Sequence, residues 1–336
     1  MMKLPEVIQL GKHPWIRAQL LRQLFDPKVA ANLRECVSLP GPYAPEYGTW
    51  TQDNLEQHSL FSSLMLHGYN ESKLRHQKVD VACNGEGIQV DIDSGGNIGV
   101  RNGLHRFCYS LALGITDLPA KVVYRDPEWT AKLQRLYDAC GQHYTYQAIP
   151  HPDLDGWAVG QKELRLKAVA DLFESKGVKN LVDIGGGYGS FGCGTAPFLD
   201  WVQIVELSDL GVEWSRWRSC HQGTRNVQVL QKNAYDFMPM GSTDCIALLS
   251  VMHHLIHERG EAAMTGLLRL WRSEGRLLLT ENPAPGEPIL NVRPEATSWM
   301  QHEVERMLNA GWRLLSELGR DGGFCEPRVI RVWEAL

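Results

Sequence analysis

The chain has 336 residues, enough for two domains with substantial cores, and a net charge of −5. Residues 1–150 hold 15 Lys+Arg against 15 Asp+Glu, leaving 19 against 24 in the remainder, so neither half carries the basic field of a nucleic-acid binder. Eight scattered cysteines without a CxxC pair exclude a zinc or disulfide framework and suit a reducing cytoplasm. Residues 1–15 lack an apolar signal core and no stretch approaches the ~20 apolar residues of a membrane span, so a cytoplasmic protein is expected.

In chain order, an amphipathic helix is predicted over 15–25, a Pro/Gly loop over 39–47 and a second helix over 54–65. Residues 79–82 and 88–92 alternate like strands. Ser94-Gly95-Gly96-Asn97 is a hairpin-type turn into 98–100. Asn102-Gly103-Leu104-His105-Arg106 opens a helix over 107–113, and an apolar strand follows at 120–124. Residues 128–140 read as a helix, and 143–160 are rich in Tyr, His, Pro and Gly. Within the latter, His151, Asp153 and Trp157 lie where a linker can fold over a ligand, and a plain linker is the alternative. The helix predicted over 162–176 has one apolar side and stops at Gly177.

The most informative stretch is NLVDIGGGYGSFGCG, residues 180–194. A buried-strand run carries Asp183 and leads into Gly185, Gly187 and Gly189, which permit a tight turn and close approach of a ligand to backbone. Four further apolar runs follow. The run 201–205 ends in Glu206, an acid placed to bind ribose hydroxyls; 227–230 precedes Asn233 and Ala234. The run 245–251 includes Ser250 and meets His253-His254, and 276–280 ends in Glu281. Strands alternating with helices at this spacing argue a parallel sheet with its ligand site at the strands' carboxyl ends.

On these residues the chain resembles the class I S-adenosyl-L-methionine-dependent methyltransferases from about residue 160 onward. The resemblance implies a Rossmann-like, seven-stranded, mostly parallel sheet, with 312–318 and 328–333 as a final antiparallel hairpin. It implies that Asp183, Gly185, Gly187 and Gly189 hold the methionine end of the cofactor and Glu206 the ribose. It further implies that Asn233 and Ala234 touch adenine, with Ser250 beside the methyl group. Asn233 stands where Asp is commoner. His253 or His254 is a candidate base or acceptor ligand, with His254 preferred, and Glu281 is a second candidate. A structural role is the alternative for each. No Asp/Glu/Asn set suggests a metal.

Residues 70–125 resemble the ParB/sulfiredoxin-like domains, through Gly103, His105 and Arg106 at the start of a helix. An Arg beside exposed helix amides is a ready anion site, so the resemblance implies binding of ATP or another nucleotide. Capping of the turn is the bland alternative. Leu104 stands where sulfiredoxin chemistry needs Cys. The expected organisation is an α+β domain over 1–126, a connector over 127–160 and a methyltransferase domain over 161–336.

The resulting expectation is O-methylation of a sugar or phosphosugar of a surface polysaccharide or related glycan, coupled to phosphorylation by the N-terminal domain. Two alternatives stand beside it. One is methylation of a small metabolite that a non-catalytic N-terminal domain presents. The other is a DNA-targeted methyltransferase, against which the chain lacks both an Asn/Asp-Pro-Pro-Tyr and a Pro-Cys motif.

Overall fold

The computed structural model describes residues 2–24, 87–103, 107, 110, 115, 118–141, 144–158, 163–239, 243–283, 287–291, 293–322 and 327–336. The helix expected over 54–65, the strand over 79–82, and His105 and Arg106 lie outside the described residues. The chain forms two compact units, residues 1–143 with 150–155, and residues 144–149 with 156–336. The connector expected over 127–160 is therefore shared between them.

The first unit carries a four-stranded sheet in the order β1 (Val7–Gln9), β4 (Pro119–Arg125), β2 (Ile88–Ile92), β3 (Ile98–Asn102). The β2–β3 hairpin is antiparallel, and β2 runs parallel to β4. Its turn is tied by Asp93, whose Oδ1 accepts from the amides of Gly95 and Asn97 at 2.9 and 2.8 Å. Asp126 caps the helix Pro127–Ala139, accepting from the Glu128 amide; Trp129, Leu133 and Leu136 of that helix are buried. His151 and Asp153 are buried within this first unit. Asp153 accepts from Arg125 Nη2 at 2.7 Å and from Trp129 Nε1 at 3.0 Å, and His151 Nε2 meets the Gly96 carbonyl at 3.1 Å.

The second unit is built on a seven-stranded sheet in the order β10 (Trp312–Gly322), β11 (Pro327–Ala335), β9 (Gly275–Glu281), β8 (Thr243–Leu249), β5 (Asn180–Ile184), β6 (Trp201–Glu206), β7 (Val227–Gln231). Strands β5 to β9 pair in parallel, and β11 and β10 close the edge antiparallel. This is the mixed α/β architecture with a parallel-rich sheet that the glycine turn and the alternating runs imply.

Side chains alternate between two cores, as a sheet covered on both faces requires. Val182, Ile246, Leu248 and Leu278 pack with Trp271, Trp299, Trp312 and Trp333. Leu181, Cys245, Ala247, Leu277 and Leu279 pack with Val169 and Phe173 on the other face. Helix ends follow local chemistry. Gly177, at φ 60°, follows the helix Glu163–Lys176, and Gly223 closes Asp209–Gln222 at φ 68°. Strand β8 stops two residues before the expected boundary. Ser250 turns out of it at φ 60°, alone among the described non-glycine residues in having positive φ, and the helix Met252–Arg272 begins.

Candidate functional site

The glycine turn leaves the carboxyl end of β5 with Gly185 at φ 67° and Gly187 at φ 59°, backbone that residues with a Cβ adopt only under strain. Space is equally restrictive, because a Cβ on Gly185 would lie 2.4 Å from Val251 Cγ2. Gly189 caps the short helix Ser190–Thr195 in the same left-handed region. Asp183 lies beneath the turn, 2 % exposed, and accepts from the Gly192 amide at 3.1 Å. Burial pushes its carboxyl up to about 7, against the Gly192 hydrogen bond and with help from the Glu206 charge. Asp183 is thus a support under the turn, covered from solvent.

Glu206 ends β6 beside the turn. Its Oε2 accepts from the Gly187 amide and its Oε1 from the Ser208 amide, both at 2.8 Å. Each carboxylate oxygen has a second lone pair, so two hydroxyls can still be received. At the end of β7, Asn233 Oδ1 accepts from the Tyr235 amide at 2.9 Å, and its Nδ2 donates to Glu258 Oε1 at 2.8 Å. Ala234, buried, follows it.

The ends of β8 and β9 carry a second, side-chain network. Ser250 Oγ donates to Glu281 Oε1 at 2.5 Å, and the Ser250 amide donates to the Glu281 carbonyl at 2.7 Å. Arg328, from β11, donates from Nη1 to Ser250 Oγ at 2.7 Å and to the Tyr146 hydroxyl at 3.0 Å. Its Nε donates to Glu287 at 2.8 Å, and Nη1 stands 3.6 Å from Glu281. Tyr146, Ser250 and Glu281 line an open cleft of about 420 Å³ counted with its mouth, together with Gln147, Ser190 and Leu249.

His253 is buried, its Nδ1 without a hydrogen-bond partner, and its ring is 4.2 Å from that of His254. Burial lowers its imidazole to about 3, with His254, Arg293 and Arg328 adding to the effect. His254 is lowered to about 4 by desolvation and then by Arg293 and His257, the smaller shift matching its exposed position. Both rings are neutral at physiological pH.

The glycines, Asp183 and Glu206 therefore cluster at the β5–β6 end. Ser250 and Glu281 meet at the β8–β9 end, with the His pair in the following helix. Sequence reasoning missed Tyr146, Gln147 and Arg328. No periodicity marks 144–149, and Arg328 reads only as the first residue of an edge strand. In the first unit, Gly103 turns at φ 81°, and the Phe107 amide donates to its carbonyl at 3.0 Å.

No family model matches this sequence, and no curated protein matches it. Among solved structures, the bifunctional kinase-methyltransferase WbdD aligns at 20% identity over 57% of this chain and 44% of its own, with a TM-score of 0.48. Magnesium protoporphyrin IX methyltransferase (ChlM) from Synechocystis PCC 6803 with bound SAH aligns at 15% identity over 62% and 94%, with a TM-score of 0.43. The methyltransferase domain of bacterial CtHen1-CN aligns at 16% over 52% and 98%, with a TM-score of 0.41. The chain spans under half the length of the WbdD structures. Among the described residues no helix is long and apolar enough to cross a membrane.

Proposed function

We propose that the second unit binds S-adenosylmethionine along the β5–β6 end and methylates an acceptor hydroxyl held at the β8–β9 end. The observation that carries this reading is Glu206. It ends the strand beside the glycine turn, fixed by the Gly187 and Ser208 amides with lone pairs to spare for a diol. The turn suits such a cofactor, because its positive-φ glycines let the backbone turn tightly at the strand ends next to Glu206.

When bound, the cofactor supplies a sulfonium methyl group for in-line displacement. The chain's own task is to hold the acceptor oxygen close and take its proton. Glu281, reached through the Ser250 hydroxyl, is the carboxylate placed for that proton. His254, neutral and exposed, is the second candidate, while His253 shapes the wall. A sugar or phosphosugar acceptor in a cytoplasmic setting is the finer part of this reading. It rests on the sequence resemblance, as does nucleotide binding at Gly103, His105 and Arg106 of a ParB/sulfiredoxin-like first unit.

Thermal melting with S-adenosylhomocysteine tests the core of the proposal. At a hundred times its Kd the ligand should stabilise the protein by about 2.7 kcal/mol, and Glu206→Ala should weaken the response. No shift at millimolar ligand would sink it. ATP in the same assay, with Arg106→Ala as control, tests the first unit.

A further inference from the structure

Residues 144–149 belong to the second unit, although the chain on either side of them belongs to the first. Within that segment the Gln147 carboxamide is committed to the glycine turn. Oε1 accepts from the amides of Tyr188 and Ser190 at 2.9 and 3.2 Å, and Nε2 donates to the Gly186 carbonyl at 3.1 Å. Two donors against the oxygen and an acceptor against the nitrogen fix the amide's orientation. The approach is close, since a Cβ on Gly187 would lie 2.8 Å from Nε2.

A carboxamide has two N–H groups and two carbonyl lone pairs. The turn uses both lone pairs and one N–H, so among the described residues one N–H is left, on a side chain that lines the cleft with Ser190 and Ser250. The cofactor proposed above differs from a bare nucleoside in ending in an amino acid, whose carboxylate needs hydrogen-bond donors. We infer that Gln147 is a positioning residue of the cofactor site: it braces the glycine turn and reads the carboxylate of the cofactor's amino-acid end. This inference rests on the S-adenosylmethionine reading. It adds a residue outside the Gly-rich motif and a basis for telling the cofactor from its nucleoside fragment.

The test is calorimetric titration of the full chain with S-adenosylhomocysteine and with 5′-methylthioadenosine, which lacks the amino-acid end. Gln147→Ala should weaken S-adenosylhomocysteine about tenfold or more, the usual loss of a hydrogen bond to a charged group, and leave methylthioadenosine within about twofold. Gln147→Glu keeps acceptor oxygens for Tyr188 and Ser190, loses the donor to the Gly186 carbonyl and sets a negative charge against the ligand's carboxylate. It should lose at least as much affinity for S-adenosylhomocysteine and again spare methylthioadenosine. If the Ala variant does not fold, as ligand-free melting will report, the Glu variant carries the test. Equal losses for both ligands would reduce Gln147 to a brace, and unchanged or tighter S-adenosylhomocysteine would overturn the assignment. A wild type that binds neither ligand fails the cofactor reading itself, and this inference with it.

Discussion

Two strand-end carboxylates in the second unit are held in opposite ways. Glu206, at the end of β6, is fixed by backbone amides of Gly187 and Ser208. Glu281, at the end of β9, is fixed by the Ser250 hydroxyl and the nearby Arg328 guanidinium. Backbone donors come with the turn and need only glycines and a short sequence span. Side-chain donors must be delivered from elsewhere, here from 31 and 47 residues away and, through Tyr146, from further still. The first arrangement is set by backbone, and the second is open to change by single substitutions.

The largest expected effect sharpens the side-chain half. Arg328→Ala removes the cation beside Glu281 and Glu287, whose side chains are 1% and 5% exposed. Breaking a buried pair of this kind costs about 3–5 kcal/mol, read as a lower urea midpoint. A loss below about 1 kcal/mol would mean the network is dispensable for folding.

Next comes the backbone half. Gly185→Ala meets both a positive φ and Val251 at 2.4 Å, and should cost about 2–4 kcal/mol by the same measurement. Gly177, also at positive φ but with nothing within 4 Å of a Cβ, provides the control. Its Ala variant should lose only the conformational part, about 1–2 kcal/mol.

The comparison itself is tested by paired binding measurements. Glu206→Gln should weaken S-adenosylhomocysteine by roughly tenfold to a hundredfold, while Glu281→Gln should leave it within about threefold. Equal losses would erase the division into a cofactor end and an acceptor end.

The last effect is spread over pH and is smallest per pH unit. Asp183 holds its proton up to about 7 when folded, against 3.8 for an ordinary Asp carboxyl. Between those values the native state binds more protons than the unfolded chain, so this group's contribution to stability falls as pH rises. The slope approaches about 1.4 kcal/mol per pH unit. His253 and His254, depressed to about 3 and 4, act oppositely below the ordinary imidazole value of 6.5. The wild-type slope is therefore a sum, and the informative quantity is the difference from Asp183→Asn across pH 4–7. That difference should change steadily with pH, and a flat one would place Asp183 ionised in the fold.

Much of the second unit is legible in its sequence because its signals are local. Apolar runs mark strands β5 to β9, glycines mark the turn, and Glu206 and Glu281 sit at strand ends. Ser250 shows the limit of such reading. The apolar run continues through Val251, but the backbone leaves the strand at a positive φ that no residue type there announces. His151 and Asp153 show another limit. Their place just before the glycine turn in sequence does not announce the partners they have in the first unit, Arg125, Trp129 and Gly96. Gln147 was illegible for the complementary reason. Its partners are backbone groups about 40 residues on, and backbone leaves no pattern in side-chain order.

The chain passes from the first unit to the second after residue 143, returns after 149 and crosses again after 155. No single cut divides the gene between them. A piece starting at 156 would leave Tyr146 and Gln147 behind, and a piece ending at 143 would lose the partners of Trp129 and Arg125. A chimera made at any one of these crossings would therefore separate residues of one unit from their partners.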